Sequence, residues 1–83
     1  MVRKKAGIRS RRLTELPRSS RHRVSRLEED KAAVIASFGI YPGVVVEIKQ
    51  RQPSYVIRCD NSEVAMDARL AGGIWVEVDE EPD

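Results

Sequence analysis

The sequence predicts a small, mainly β fold: a five-stranded barrel, closed or partly closed, with one short α-helix and a flexible basic N-terminal tail. Three observations lead there. Short β-branched or alternating segments recur along the chain, as in Val44–Ile48, Tyr55–Cys59 and Ile74–Val78, and turn residues separate them. The chain has 83 residues, enough for one domain that hides only ~60–65% of the surface exposed on unfolding. Short apolar strands leave adhesive edges, and curling the sheet on itself removes them.

The elements follow in order. Residues 1–12 show no apolar periodicity and read as a mobile basic tail. Leu13 and Leu16 are two apolar anchors just ahead of Pro17, and they start a domain that runs to residue 78. Arg21–Leu27 reads as a first strand. Its apolar residues Val24 and Leu27 are three apart rather than two, which calls for a bulge. Lys31–Phe38 is expected to be helical, capped by Asp30, with Ile35 and Phe38 on its apolar face. Gly39 fits the left-handed position that closes a helix.

Tyr41-Pro42-Gly43 is the sharpest punctuation in the chain. Proline presets φ at the second turn position and glycine permits positive φ at the third, which is a type II turn. Val44–Gln50 then reads as a strand with Val44, Val46 and Ile48 on one face. Arg51–Ser54 is a polar loop, and in Tyr55–Cys59 the alternation puts Tyr55, Ile57 and Cys59 together. Asp60-Asn61 makes a tight reversal into Glu63–Met66. Asp67–Gly73 has room for one helical turn. Ile74–Val78 is the last strand, with Ile74, Val76 and Val78 on one face and Trp75 and Glu77 on the other, and 79–83 is an acidic, frayed end.

Composition excludes several classes of protein. The single cysteine cannot form an internal disulfide, which points to a reducing compartment. The longest unbroken apolar run, Ala32–Ala36, is far short of the ~20 residues that cross a bilayer as a helix. Arg- and Ser-rich, acid-poor starts also occur in organelle transit peptides, but Leu13–Leu27 reads as part of the domain. The net charge of +2 hides an asymmetry: residues 1–31 carry eleven basic and four acidic side chains (+7), and residues 32–83 carry four and nine (−5). Arg3, Lys4, Lys5, Arg9, Arg11 and Arg12 head the basic segment and are the candidates for attraction to an anionic membrane surface or a nucleic acid.

The run Phe38-Gly39-Ile40-Tyr41-Pro42-Gly43 ahead of a valine-rich strand resembles the FeoA family, ferrous iron transport protein A. That family carries Leu-Gly-Ile/Leu-x-Pro-Gly at this place. Leu13-x-x-Leu16, Pro53, Val64-Ala65-Met66 and Ala71-x-x-Ile74-x-Val76 match further family positions in order, so the likeness covers 13–78. Where the family has glycine after the second leucine, this chain has Arg18-Ser19-Ser20, and Asp60-Asn61 replaces a turn that is commonly glycine.

The resemblance implies a cytoplasmic SH3-like barrel, also found at the C-terminus of DtxR-type metal-dependent repressors. It implies an accessory role in ferrous iron uptake by contact with FeoB, a membrane transporter with a cytoplasmic GTP-binding domain. Two alternatives stay open: a small RNA-binding barrel that uses the basic arm, and a regulatory module related to the repressors. The acidic balance of the barrel and its few aromatics argue against nucleic acid.

Candidate partner-contacting residues are Gly39, Tyr41, Pro42 and Gly43 in the turn and Trp75 on the outer face of the last strand. No catalytic residues are expected. The only histidine, His22, and the only cysteine, Cys59, are far apart in sequence, and they read as an exposed strand residue and a core residue. No clustered Cys or His suggests a metal site, so cofactors are expected to be none. Transient ferrous iron or another divalent metal is implied by the resemblance alone. No small-molecule substrate is expected.

Overall fold

A computed structural model of the chain describes residues 8–16 and 21–79. Six strands form one antiparallel sheet: β1 (Ile8–Arg12), β2 (Arg21–Leu27), β3 (Val45–Gln50), β4 (Tyr55–Cys59), β5 (Ser62–Met66) and β6 (Ile74–Asp79). Helix α1 (Ala32–Ala36) joins β2 to β3, and α2 (Ala68–Ala71) joins β5 to β6. A single 3-10 turn, Leu13–Glu15, follows β1.

The strand order is β1-β6-β2-β3-β4-β5, one strand more than expected. The extra strand comes from residues 8–12, which the lack of apolar periodicity assigned to the tail. They pair with β6 from Ile8 opposite Asp79 to Arg12 opposite Trp75. The alternation rule missed β1 because Arg9-Ser10-Arg11-Arg12 offers no apolar residues to alternate. The ladder and the side chains of Arg12's neighbours hold it instead. Residues 1–7, with Arg3, Lys4 and Lys5, lie outside the described residues, as do 17–20 and 80–83.

The sheet curls round a single core, and hydrogen bonds do not join its two edges, β1 and β5. Register shifts in β2 between Val24 and Arg26, and in β3 between Ile48 and Gln50, bend these strands; the first is the bulge that the spacing in β2 required. At the open seam the 3-10 turn after β1 packs on α2 after β5. There the Arg12 guanidinium donates to the Gly72 carbonyl at 2.6 Å. On the other side of the 3-10 turn, Arg51 donates to the Leu16 carbonyl at 2.7 Å. These side chains tie the end of β1 and the segment after it to the end of α2 and to the β3–β4 loop.

Inside, Leu13, Leu16, Val24, Ile35, Ile40, Val46, Ile48 and Ile57 are buried, together with Cys59, Met66, Ala71, Ile74 and Val76. The two leucine anchors and the alternation in β3, β4 and β6 are as the sequence predicts. The helix differs. It spans five residues, and Asp30 does not cap it. The amides of Lys31 and Ala32 already donate to the Glu28 and Glu29 carbonyls, so the preceding turn satisfies the donors that a cap would serve. Asp30 turns instead to Lys31 Nζ, 3.4 Å away. Ile35 is the helix's buried residue, and Ile40, past the Gly39 reversal, takes the core place expected for Phe38. Asp67 does cap α2, accepting the Leu70 amide at 2.8 Å.

Both turn glycines have left-handed backbones, φ +88° at Gly39 and +98° at Gly43, and a Cβ at either would meet open space. The demand there is conformational, not steric. The Val44 amide donates to the Tyr41 carbonyl (3.1 Å), so Pro42 and Gly43 hold the two central positions of the expected type II turn. Gly43→Val is expected to destabilise the fold by ~1–3 kcal/mol and Gly43→Asn by less, since Asn tolerates this conformation better. Denaturant melts of the three proteins measure this, and equal midpoints for glycine and valine would show that the turn does not need positive φ.

Candidate interaction surface

The turn is fastened to β2 from both directions. The Gly43 amide donates to the Val24 carbonyl, and the Val24 amide donates to the Val44 carbonyl, each at 2.8 Å. The Arg23 guanidinium donates to the Gly43 carbonyl at 3.0 Å. Fixed in this way, the turn starts β3 with Val45 outward, opposite Arg23, and Val46 inward, opposite His22. On the other side, Cys59 Sγ approaches the Gly39 carbonyl at 3.5 Å and ties the helix end to β4.

This element carries the exposed large apolar side chains of the described residues: Val34 (50% exposed), Phe38 (38%), Tyr41 (51%) and Val45 (40%). All four fall between residues 34 and 45. Of the sequence-predicted contact residues, Tyr41, Pro42 and Gly43 are exposed here and Gly39 is half-buried beside them. Phe38 was assigned to the apolar face of the helix, and the helix pattern gave no sign that it or Val34 would be exposed. Val45 was findable, because a strand that buries Val44, Val46 and Ile48 must turn Val45 outward.

Trp75 lies elsewhere and is half-buried. Its cross-strand neighbours are Arg12 on β1 and Arg26 on β2, one on each side. Their guanidinium carbons sit 4.5 and 4.2 Å from the ring centroid. The indole Nε1 donates to Glu28 Oε1 at 3.3 Å, and Arg12 Nη1 donates to the same oxygen at 2.7 Å. Arg26 Nη1 lies 4.0 Å from the other carboxylate oxygen. The ring's contacts are therefore internal ones that brace three neighbouring strands, β1, β6 and β2. Of the remaining basic candidates, Arg11 lies 3.9 Å from Glu15, and Arg9 is exposed on β1.

The two groups with reactive chemistry are apart. His22 is half-buried on β2, and Val46 of β3 separates it in register from Cys59 of β4. Burial, with the nearby Asp60 charge, pushes the Cys59 thiol up, so it is a neutral core group at neutral pH. Among the described residues no three His, Cys, Asp or Glu side chains gather as metal ligands do. No helix among them is long and apolar enough to cross a membrane.

The FeoA domain family model matches residues 11–78. No curated protein sequence matches the chain significantly. Among solved structures, the iron uptake regulatory protein FeoA superposes with a TM-score of 0.72 at 18% identity, covering 84% of this chain and 99% of that one. IdeR of T. acidophilum gives 0.72 at 26% identity, covering 84% of this chain and 34% of the repressor. A manganese-dependent transcriptional repressor gives 0.71 at 20% identity, covering 81% and 40%. The likeness to the repressors is to part of each, the SH3-like domain, and the fold here is of that mainly β, SH3-like kind.

The carboxylate beside Trp75 makes a pH prediction. Hydrogen bonds from Arg12 and from the Trp75 indole, with the charges of Arg12 and Arg26, hold Glu28 below the ordinary glutamate value of 4.5. A depressed pKa contributes stability that is present above that value and lost as pH falls through the lower folded one. Glu28→Gln is therefore expected to melt below wild type at neutral pH, with the gap narrowing on acidification below about 4.5. Thermal melts of both proteins across pH 3–7 check this, and a gap that does not change with pH would contradict it.

Proposed function

The chain belongs to the FeoA family, and from that premise we propose that it is a non-enzymatic accessory of ferrous iron uptake, acting by contact with the cytoplasmic part of a FeoB-type membrane GTPase transporter. The observation that carries this reading is that the exposed large apolar side chains all fall in one stretch of chain, Val34 to Val45, in a domain whose other large apolar residues are buried or half-buried among the described residues. Scattered apolar residues are ordinary on a protein surface, whereas a grouped set that includes an aromatic pair is the composition of a contact site.

The chemistry points the same way. With Cys59 neutral and His22 a strand away, the described residues offer no activated nucleophile. Iron enters this reading as the transporter's cargo, not as a ligand of this chain. The basic N-terminal segment adds attraction to the anionic membrane face where such a transporter sits, at ~1 kcal/mol for each Lys or Arg close to the surface. The place of action is the cytoplasm, peripheral to the membrane.

Binding of the transporter's cytoplasmic domain tests the proposal. Phe38→Ser/Tyr41→Ser is expected to weaken binding by about 30-fold or more, the loss that follows removal of a central aromatic pair. Both residues are already exposed, so the melting midpoint should hold within a few degrees. Full binding by the double variant, or no binding by wild type, would reject the reading.

A further inference from the structure

Beside the apolar element runs a groove of about 350 Å³ between β2, β3 and the β4–β5 turn. Val45 and Val46 line it, so Val45 is both a groove residue and one of the exposed apolar residues of the 34–45 stretch. Arg21 and Arg58 flank it. In the ladder Arg21 lies opposite Glu47, and Glu47 lies opposite Arg58, so the two arginines stand two strands apart on the outer face. At a strand spacing of ~4.8 Å, two such long side chains can reach one acceptor placed between them.

Among the described residues neither guanidinium has a hydrogen-bond or ion-pair partner. Glu47 approaches Lys49 at 3.9 Å instead of either arginine, and Glu63, opposite Arg58 on β5, does not pair with it. Asp60 supplies the groove's other carboxylate. On the far side of Val45 stands Arg23, which gives one hydrogen bond to the Gly43 carbonyl. The outer face of β2, β3 and β4 with the groove turn therefore holds Arg21, Arg23, Lys49 and Arg58 against Glu47 and Asp60, an excess of positive charge.

From this charge complementarity we propose that the polypeptide segment seated on the Val34–Val45 surface is acidic as well as apolar. One of its carboxylates lies in the groove between Arg21 and Arg58, and its apolar side chains lie on Val45, Tyr41 and Phe38. The proposal rests on the contact reading above and specifies the chemistry of the partner. An arginine fork binds a carboxylate through parallel N–H donors, which adds geometric selection to attraction. Charges at the rim of such a contact act mainly on association rate and on the choice of partner.

The full chain is titrated with three probes: a short Leu- and Glu-bearing peptide, the same peptide with Gln for Glu, and the transporter's cytoplasmic domain. The Glu peptide is expected to bind at least about tenfold tighter than the Gln peptide, with the difference shrinking as salt rises. Arg21→Gln/Arg58→Gln should abolish that difference, and Arg21→Lys/Arg58→Lys should keep part of it. Equal binding of the Glu and Gln peptides overturns the proposal. If the transporter domain binds and depends on Phe38 and Tyr41 but ignores both the arginine variants and salt, the acidic segment is refuted while the contact reading stands. If the Glu peptide binds through the two arginines and the transporter domain does not bind, the segment's chemistry is upheld and the transporter assignment fails. Vesicles containing phosphatidylglycerol give the last arm: arginine-dependent binding to them, with no preference for the Glu peptide, would assign the surface to a membrane and overturn the proposal.

Discussion

The left-handed backbone at Gly43 is the constraint on which the rest depends. With φ at +98°, the chain leaving Pro42 turns back so that Gly43 and Val44 bond Val24 from both sides. That fixes the register of β3 on β2, and a strand's register decides which side chains face inward. A slip of one residue would expose Val46 and Ile48 and bury Val45 and Glu47. The core and the outward surface are two results of one turn. Because the space around Gly43 is open, glycine is needed there for its dihedral freedom and not for close packing.

The open seam is handled by a different physical means. A fully paired barrel closes itself with backbone hydrogen bonds, and this sheet stops at β1 and β5. At the β1 edge, Arg12 donates to the Gly72 carbonyl at the end of α2 and to Glu28, with Trp75 of β6 beside it. Arg26 and Glu28 complete the group, so each charge in it has an opposite charge or an aromatic ring as neighbour. Such partly exposed groups hold by geometry and number, since a lone surface ion pair contributes ~0–1 kcal/mol. Trp75 is thus a fastening of the fold, and the contact surface proposed above is built from other residues.

Much of the fold was legible in the residues. The β-branched alternation marked β3, β4 and β6, Asp60-Asn61 marked the two-residue reversal, and the spacing of Val24 and Leu27 marked the bulge in β2. The Tyr41–Gly43 part of the candidate surface was legible too, because turn chemistry is local. What could not be read depends on register between distant segments. Arg12, Arg26 and Glu28 come together at Trp75 only once β1 and β2 are paired on either side of β6, and nothing near any of the four announces the others. Phe38 was misplaced for a related reason: the chain reverses at Gly39, and past that reversal it is Ile40 that is buried while Phe38 is left exposed.

The same view corrects an argument from charge alone. The first 31 residues carry a net +7, which taken by itself describes an arm free to attract any polyanion. Folding divides that charge. Arg12 and Arg26 flank the indole and face Glu28, Arg23 braces the turn, and Arg11 lies near Glu15. Arg21 remains on the β2 face without a partner among the described residues, joined there by Arg58 from the acidic half of the chain. A polyanion is attracted to summed charge, whereas a site that chooses among anions needs unpaired donors at fixed positions next to something else to recognise. The second condition is met where Arg21, Arg58 and Val45 adjoin, so the proposed reading places selectivity on the sheet face and leaves to the basic segment's excess charge the part of attraction at a distance.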